Sequence, residues 1–115
     1  MVLAEINVDN IYVVCGYTDM RKSIRGLSAI VTQQFDMRPD EHSIFLFCGR
    51  RADRMKALIW EGDGFLLLYK VLADFRYQWP RNEQEVLAIT PSQYHRLLEG
   101  LAIEQRRCAL PKDLV

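Results

Sequence analysis

Residues 54–72 read RMKALIWEGDGFLLLYKVL, and this stretch decides the fold. Two β-prone runs, Arg54 to Trp60 and Phe65 to Leu72, flank Glu61-Gly62-Asp63-Gly64. Asp-Gly readily takes the positive-φ backbone of a tight turn, so the spacing predicts an antiparallel hairpin. A two-residue loop pairs Trp60 with Leu67, and a four-residue loop pairs Trp60 with Phe65. Either register puts Lys56, Leu58, Trp60, Phe65, Leu67 and Tyr69 on one face. The other face carries Met55, Ala57, Ile59, Leu66, Leu68 and Lys70. Both faces are largely apolar, whereas a sheet with one wet face alternates more cleanly. Either helices cover both sides, or one side receives a partner protein.

Outward from the hairpin, Ser43 to Cys48 (SIFLFC) reads as a preceding strand and Phe75 to Trp79 as a short following one stopped by Pro80. Val86 to Ile89 adds a further strand, and Ile11 to Val14 an early one ending at Gly16. Met20, Ile24, Leu27 and Val31 recur at helical spacing within an arc of about 60°. Thr18 or Asp19 is placed to cap that helix, and Pro39-Asp40 breaks the chain after it. Thr90-Pro91 marks the start of a second helix that Gly100 ends. The fold class expected is α+β, an antiparallel β-meander of about five strands with one helix before it and one after. One domain is expected over residues 1–103, followed by a C-terminal tail over 104–115.

The 115 residues are half apolar and carry 15 Lys+Arg against 15 Asp+Glu, a formal charge of zero. That composition supports a buried core and excludes a bulk polycation that coats nucleic acid through total charge. Cys15, Cys48 and Cys108 are too widely spaced for a disulfide framework, and His42 and His95 lie far apart with no neighbouring ligand. No metal or cofactor is expected. Met1 to Asn10 shows no secretory pattern, and the longest apolar runs fall far short of the roughly 20 residues a bilayer span needs. A cytoplasmic protein without a membrane partner is expected.

The charge is nonetheless clustered. Arg21, Lys22 and Arg25 fall in the first turns of the first predicted helix, where free backbone N–H groups also favour an anion. Arg50, Arg51, Arg54 and Lys56 surround the single acid Asp53 at a strand–turn–strand junction. Guanidinium groups there suit phosphate, onto which they fork with two hydrogen bonds. Lys70, Arg76 and Arg81 add charge downstream, and Tyr69, Tyr77 and Trp79 interleave aromatics suited to stacking on bases. Residues 43–81 hold seven basic and four acidic side chains, and residues 82–105 hold one basic and four acidic. The neutral total therefore conceals a dipolar chain.

Catalytic patterns are sparse. Asp53, Lys56, Glu61 and Asp63 fit a metal-dependent nuclease scheme only by ignoring that Gly62 and Gly64 mark Glu61 and Asp63 as turn residues. No phosphate-binding Gly-rich loop and no nucleophile–base frame is present. The sequence is not expected to be that of an enzyme.

Three blocks carry a resemblance. They are Gly16-Tyr17-Thr18-Asp19-Met20-Arg21-Lys22 with Gly26-Leu27; Ile44-Phe45-Leu46-Phe47 through Gly49-Arg50-Arg51, Asp53-Arg54-Met55-Lys56, Leu58, Trp60, Gly62-Asp63-Gly64-Phe65, Lys70, Leu72 and Trp79-Pro80; and Leu97-Leu98 with Gly100. In these the chain resembles the small accessory proteins encoded by the second reading frame of the insertion sequence sixty-six family of bacterial transposable elements. The blocks span about residues 11 to 101. Arg25 departs from the small or acidic residue usual before Gly-Leu, and Val71, Ala73 and Phe75 depart from the family pattern after the third strand. The resemblance implies a non-catalytic role in transposition beside a separate transposase. Its implied partners are that transposase, another element-encoded protein and DNA; a homo-oligomer stays open. The residues themselves then suggest one anion-facing surface made by Arg21, Lys22, Arg25, Arg50, Arg51, Arg54 and Lys56. The alternative is a protein-interaction module that docks its apolar sheet face and basic loops onto the transposase or the other element-encoded protein without touching DNA.

Overall fold

The hairpin closes through four residues: in a computed structural model describing residues 1–82 and 85–103, Trp60 pairs with Phe65 and the Glu61 N–H donates to the Gly64 carbonyl at 2.8 Å. Gly62 supplies the positive φ of 95° that the turn requires. The hairpin strands are β3 (Arg54–Trp60) and β4 (Phe65–Val71); with β1 (Asn10–Val14), β2 (Ser43–Cys48) and β5 (Val86–Ile89) they form one sheet of order β4-β3-β2-β1-β5. The α+β class stands, and β2-β3-β4 is the expected antiparallel meander. The sheet as a whole is mixed, because β1 runs parallel to β2 with Ile11 opposite Ile44. A parallel pair needs a crossover connection, and the first helix lies in it. β5 then pairs antiparallel to the outer side of β1.

Both faces of the sheet are covered. On one, Tyr12, Phe45, Phe47, Leu58 and Leu67 meet Met20, Ile24, Leu27, Ile30 and Val31, the periodic residues of the first helix among them. On the other, Ile44, Leu46, Met55, Ala57 and Ile59 pack with Leu3, Tyr94, Leu97 and Leu98. Of the two arrangements open from the hairpin sequence, helices on both sides is the one formed.

The first helix starts later than its apolar spacing suggests. α1 spans Ile24–Ala29, with extended Ser23 at its N-cap, and passes into a π-helical turn over Ile30–Gln34. Asp19 caps a different structure: its carboxylate accepts the Arg21 N–H at 2.9 Å, and its carbonyl accepts the Lys22 N–H. That local turn competes with helix for the same donors. Arg21 and Lys22 therefore precede α1 instead of lying in its first turns, where only Arg25 stands.

The second helix, α2 (Pro91–Leu98), begins as expected, with a capping box between Thr90 and Gln93. Tyr94 on its buried side donates to the Leu3 carbonyl at 2.6 Å and so ties the N-terminal turn to this layer. Phe75 to Trp79 is not a strand. Its alternation is real, since Tyr77 and Trp79 are buried while Arg76 and Gln78 are exposed, but its hydrogen bonds leave the sheet ladder. The Tyr77 N–H donates to the Ala52 carbonyl, and the Trp79 indole N–H donates to the Val14 carbonyl at 2.9 Å. The segment crosses the end of the sheet as an extended strap. The expected tail over 104–115 and Cys108 lie outside the described residues.

Candidate nucleic-acid interface

Three pieces of chain meet where β1 and β2 end: the loop after β1, the turn between β2 and β3, and the strap. Hydrogen bonds lock them together. The Gly16 N–H donates to the Pro80 carbonyl and the Thr18 N–H to the Cys48 carbonyl, both at 2.8 Å. The turn at 49–53 is closed by Gly49 N–H to the Arg54 carbonyl and Ala52 N–H to the Gly49 carbonyl. Ala52 adopts a positive φ of 60°, which the strap supports by bonding its carbonyl. A side chain at Gly49 would collide with Met20, 2.7 Å from its Cγ, so the turn sits directly on the residue that leads into α1.

This junction presents two clefts. The larger, about 670 Å³, is lined by Tyr17, Asp19, Met20, Arg50, Arg51 and Arg54, with Thr18 and Gly49 at its base. The smaller, about 300 Å³, is lined by Tyr17, Arg50, Arg51, Arg76, Gln78 and Arg81, against Ala52, Tyr77 and Trp79. Tyr17, Arg50 and Arg51 belong to both. The smaller cleft has four arginines in its wall and no acid. Arg50, Arg51 and Arg76 are exposed and enter no ion pair among the described residues. In the larger cleft the one carboxylate, Asp19, is held by Arg21 through a forked pair, at 2.8 Å from Nη2 and 3.0 Å from Nε. Those hydrogen bonds, and the cation behind them, hold the Asp19 carboxyl well below the ordinary carboxylate range.

The residues expected to face an anion divide accordingly. Arg50, Arg51 and Arg54 come together; Arg54 also bonds Asp53 through Nε and lies 3.4 Å from the Tyr69 hydroxyl. Arg21 is exposed and engaged with Asp19, outside both clefts. Lys22 lines a separate hollow on the far side of Tyr17, and Arg25 is exposed on α1 away from both clefts. Lys56 faces inward. It is 8 % exposed, its Nζ donates to the Lys22 carbonyl at 2.7 Å, and the ammonium lies over the Tyr69 ring. Tyr17, Arg76 and Arg81 complete the junction although sequence reasoning did not place them there. The signal for Arg76 was the alternation with buried Tyr77 and Trp79. Of the three aromatics expected to stack on bases, Tyr77 and Trp79 are core residues, while Tyr69 is half exposed beside Arg54 and Lys56.

Asp53 and Glu61 flank β3 at opposite ends, so its seven residues hold them roughly 20 Å apart. These two carboxylates cannot share one metal ion.

Residues 9–108 match the family model described as IS66 Orf2 like protein. The chain belongs to this family. It is similar to two uncharacterized proteins of Sinorhizobium fredii. One, y4hO, is 32 % identical over 79 % of this chain and 79 % of its own length; the other, y4jC, is 30 % identical over 72 % and 71 %. No solved structure matches. Membership of the IS66 Orf2-like family supports an accessory role in transposition. No helix among the described residues is long and apolar enough to cross a membrane.

Much of the motif that marks this IS66 Orf2-like chain is architectural. Met20 sits against Gly49; Gly26 lies against Lys22, and Leu27 is fully buried. Trp60 meets Phe65 edge-on across the hairpin at 4.9 Å. Thr18 is buried, Trp79 bonds β1, and Pro80 accepts the Gly16 N–H. The contacts of Met20, Thr18, Trp79 and Pro80 tie the junction together, and the arginines stand on it.

Proposed function

We propose that the protein is a non-catalytic accessory factor that contacts the DNA sugar-phosphate backbone within the transposition complex, beside the transposase. The observation that carries this reading is the convergence of Arg50, Arg51, Arg54, Arg76 and Arg81 on two clefts that share Tyr17. Guanidinium forks on a rigid seat suit phosphate oxygens better than flexible lysines do, because less order is lost on binding. The neutral total charge confines the attraction to one face. A module that docked on the transposase without touching DNA would use the same basic loops and would show no DNA binding alone.

The test is fluorescence anisotropy of labelled element-end DNA with the purified protein at about 50 mM salt, where phosphate contacts are strong. Binding is expected, and Arg50→Ala/Arg51→Ala is expected to weaken it at least tenfold while the fold survives. Equal affinity of the double variant and the native protein would overturn the reading. So would DNA retention only when the transposase is added.

A further inference from the structure

Resting on the backbone-contact reading, we infer that the junction is built for an unpaired strand, with Tyr17 as the platform on which a base stacks. Tyr17 is 39 % exposed and belongs to neither hydrophobic core. An aromatic left outside the core normally moves with its loop, but this one is pinned from both sides. Its neighbours Gly16 and Thr18 donate to carbonyls on two different segments, Pro80 and Cys48. The backbone that carries the ring is thus held at the junction, and the residue lines both clefts.

That position lets one strand touch both clefts. Phosphates seated on Arg54 in one cleft and Arg76 in the other must cross Arg50 and Arg51, and the base between them passes Tyr17. In a duplex the bases are paired inward and stacked on each other, so a ring beside the backbone gains nothing from them. In a single strand the base turns outward and its face is free for an aromatic partner, whatever its identity. The concave shape of the site favours the same ligand: a narrow strand enters a cleft, whereas a duplex meets the surface as a convex cylinder. Gln78 in the smaller cleft adds an amide that can bond a base edge. The binding class is therefore single-stranded or locally opened DNA, with little sequence preference.

The experiment compares a labelled single-stranded oligonucleotide with its duplex, at equal ionic strength, for the native protein, Tyr17→Ala and Tyr17→Phe. The native protein is expected to bind the single strand more tightly. Tyr17→Ala is expected to lower single-strand affinity about tenfold, several times more than it lowers duplex affinity, to leave the melting temperature unchanged, and to be rescued by Tyr17→Phe. Tighter binding of the duplex, or an equal loss on both ligands in Tyr17→Ala, overturns the inference while leaving the backbone-contact reading intact. Absence of binding to either ligand overturns both.

Discussion

Replacing Lys56 with Met separates a structural lysine from a DNA-contacting one. Lys56 Nζ donates to the Lys22 carbonyl at 2.7 Å and stands 4.9 Å from the centroid of the Tyr69 ring. A hydrogen bond from a charged donor contributes about 1.5–3 kcal/mol, and the cation–π contact about 0.5–1 kcal/mol. Met keeps most of the stem volume and removes the desolvated ammonium, which returns part of that sum. The expected net loss is about 2 kcal/mol, or a fall in Tm of about 8 °C for a chain of this size. Thermal unfolding followed by circular dichroism reads this directly. DNA affinity of Lys56→Met, measured well below its Tm, is expected to stay within about twofold of native, since the ammonium points away from both clefts. A Tm within 2 °C of native combined with an affinity loss as large as that of Arg50→Ala would refute the reasoning.

Four further residues give independent tests. Trp79→Phe removes the buried indole donor to Val14 and is expected to cost about 2 kcal/mol in urea unfolding. Gly100 has a φ of 82°, and an added Cβ would lie 2.7 Å from Phe75 and 3.1 Å from the Arg76 carbonyl. Gly100→Ala therefore combines left-handed strain with overpacking and is expected to lose about 3 kcal/mol by the same assay. Burial, with Glu85 nearby, pushes the Cys15 thiol up to about 11; burial, with Asp53 nearby, pushes Cys48 up to about 12. In a Cys108→Ser background neither should react with a thiol reagent at pH 8 until the protein is unfolded. The same shifts fix a pH dependence. The folded state keeps its thiol protons to higher pH than the unfolded one, so their contribution is full below the ordinary value of 9.0 and is lost as pH climbs toward 11–12. A Tm that rises with pH above 9 would contradict it.

The hairpin was legible because turn chemistry and strand alternation agree over the same residues, the first helix from its apolar spacing, and the second from its Thr90-Pro91 start and Gly100 end. Strand direction was not. The β-prone run Ile11 to Val14 reads the same for a parallel and an antiparallel neighbour, and only the crossover through α1 makes β1 parallel to β2. The strap shows a related limit: Phe75 to Trp79 reads as a strand with aromatics free to stack, but Tyr77 and Trp79 are buried and the segment bonds single carbonyls on other segments. The start of α1 was displaced because Asp19 satisfies the Arg21 N–H locally, a competition that helical periodicity does not register. Lys56 is the instructive residue at the site. Its place in the strand already grouped it with Leu58 and Trp60, and that grouping, not its charge, matches its burial. Arg50, Arg51 and Arg54 were visible as a loop-borne cluster. Their meeting with Tyr17, Arg76 and Arg81 depends on three distant segments closing at one end of the sheet.

The most direct measurement is the salt dependence of DNA affinity for the native protein and for Arg50→Ala/Arg51→Ala/Arg76→Ala. With four to five arginines on phosphates, the native plot of log K against log salt is expected to fall with a slope of about −3 to −4, each contact contributing about 0.7 to 0.9. The triple variant should lose about two to three units of that slope. Identical slopes for the two proteins, or no DNA binding by the native protein at low salt, would contradict a backbone contact made by these arginines.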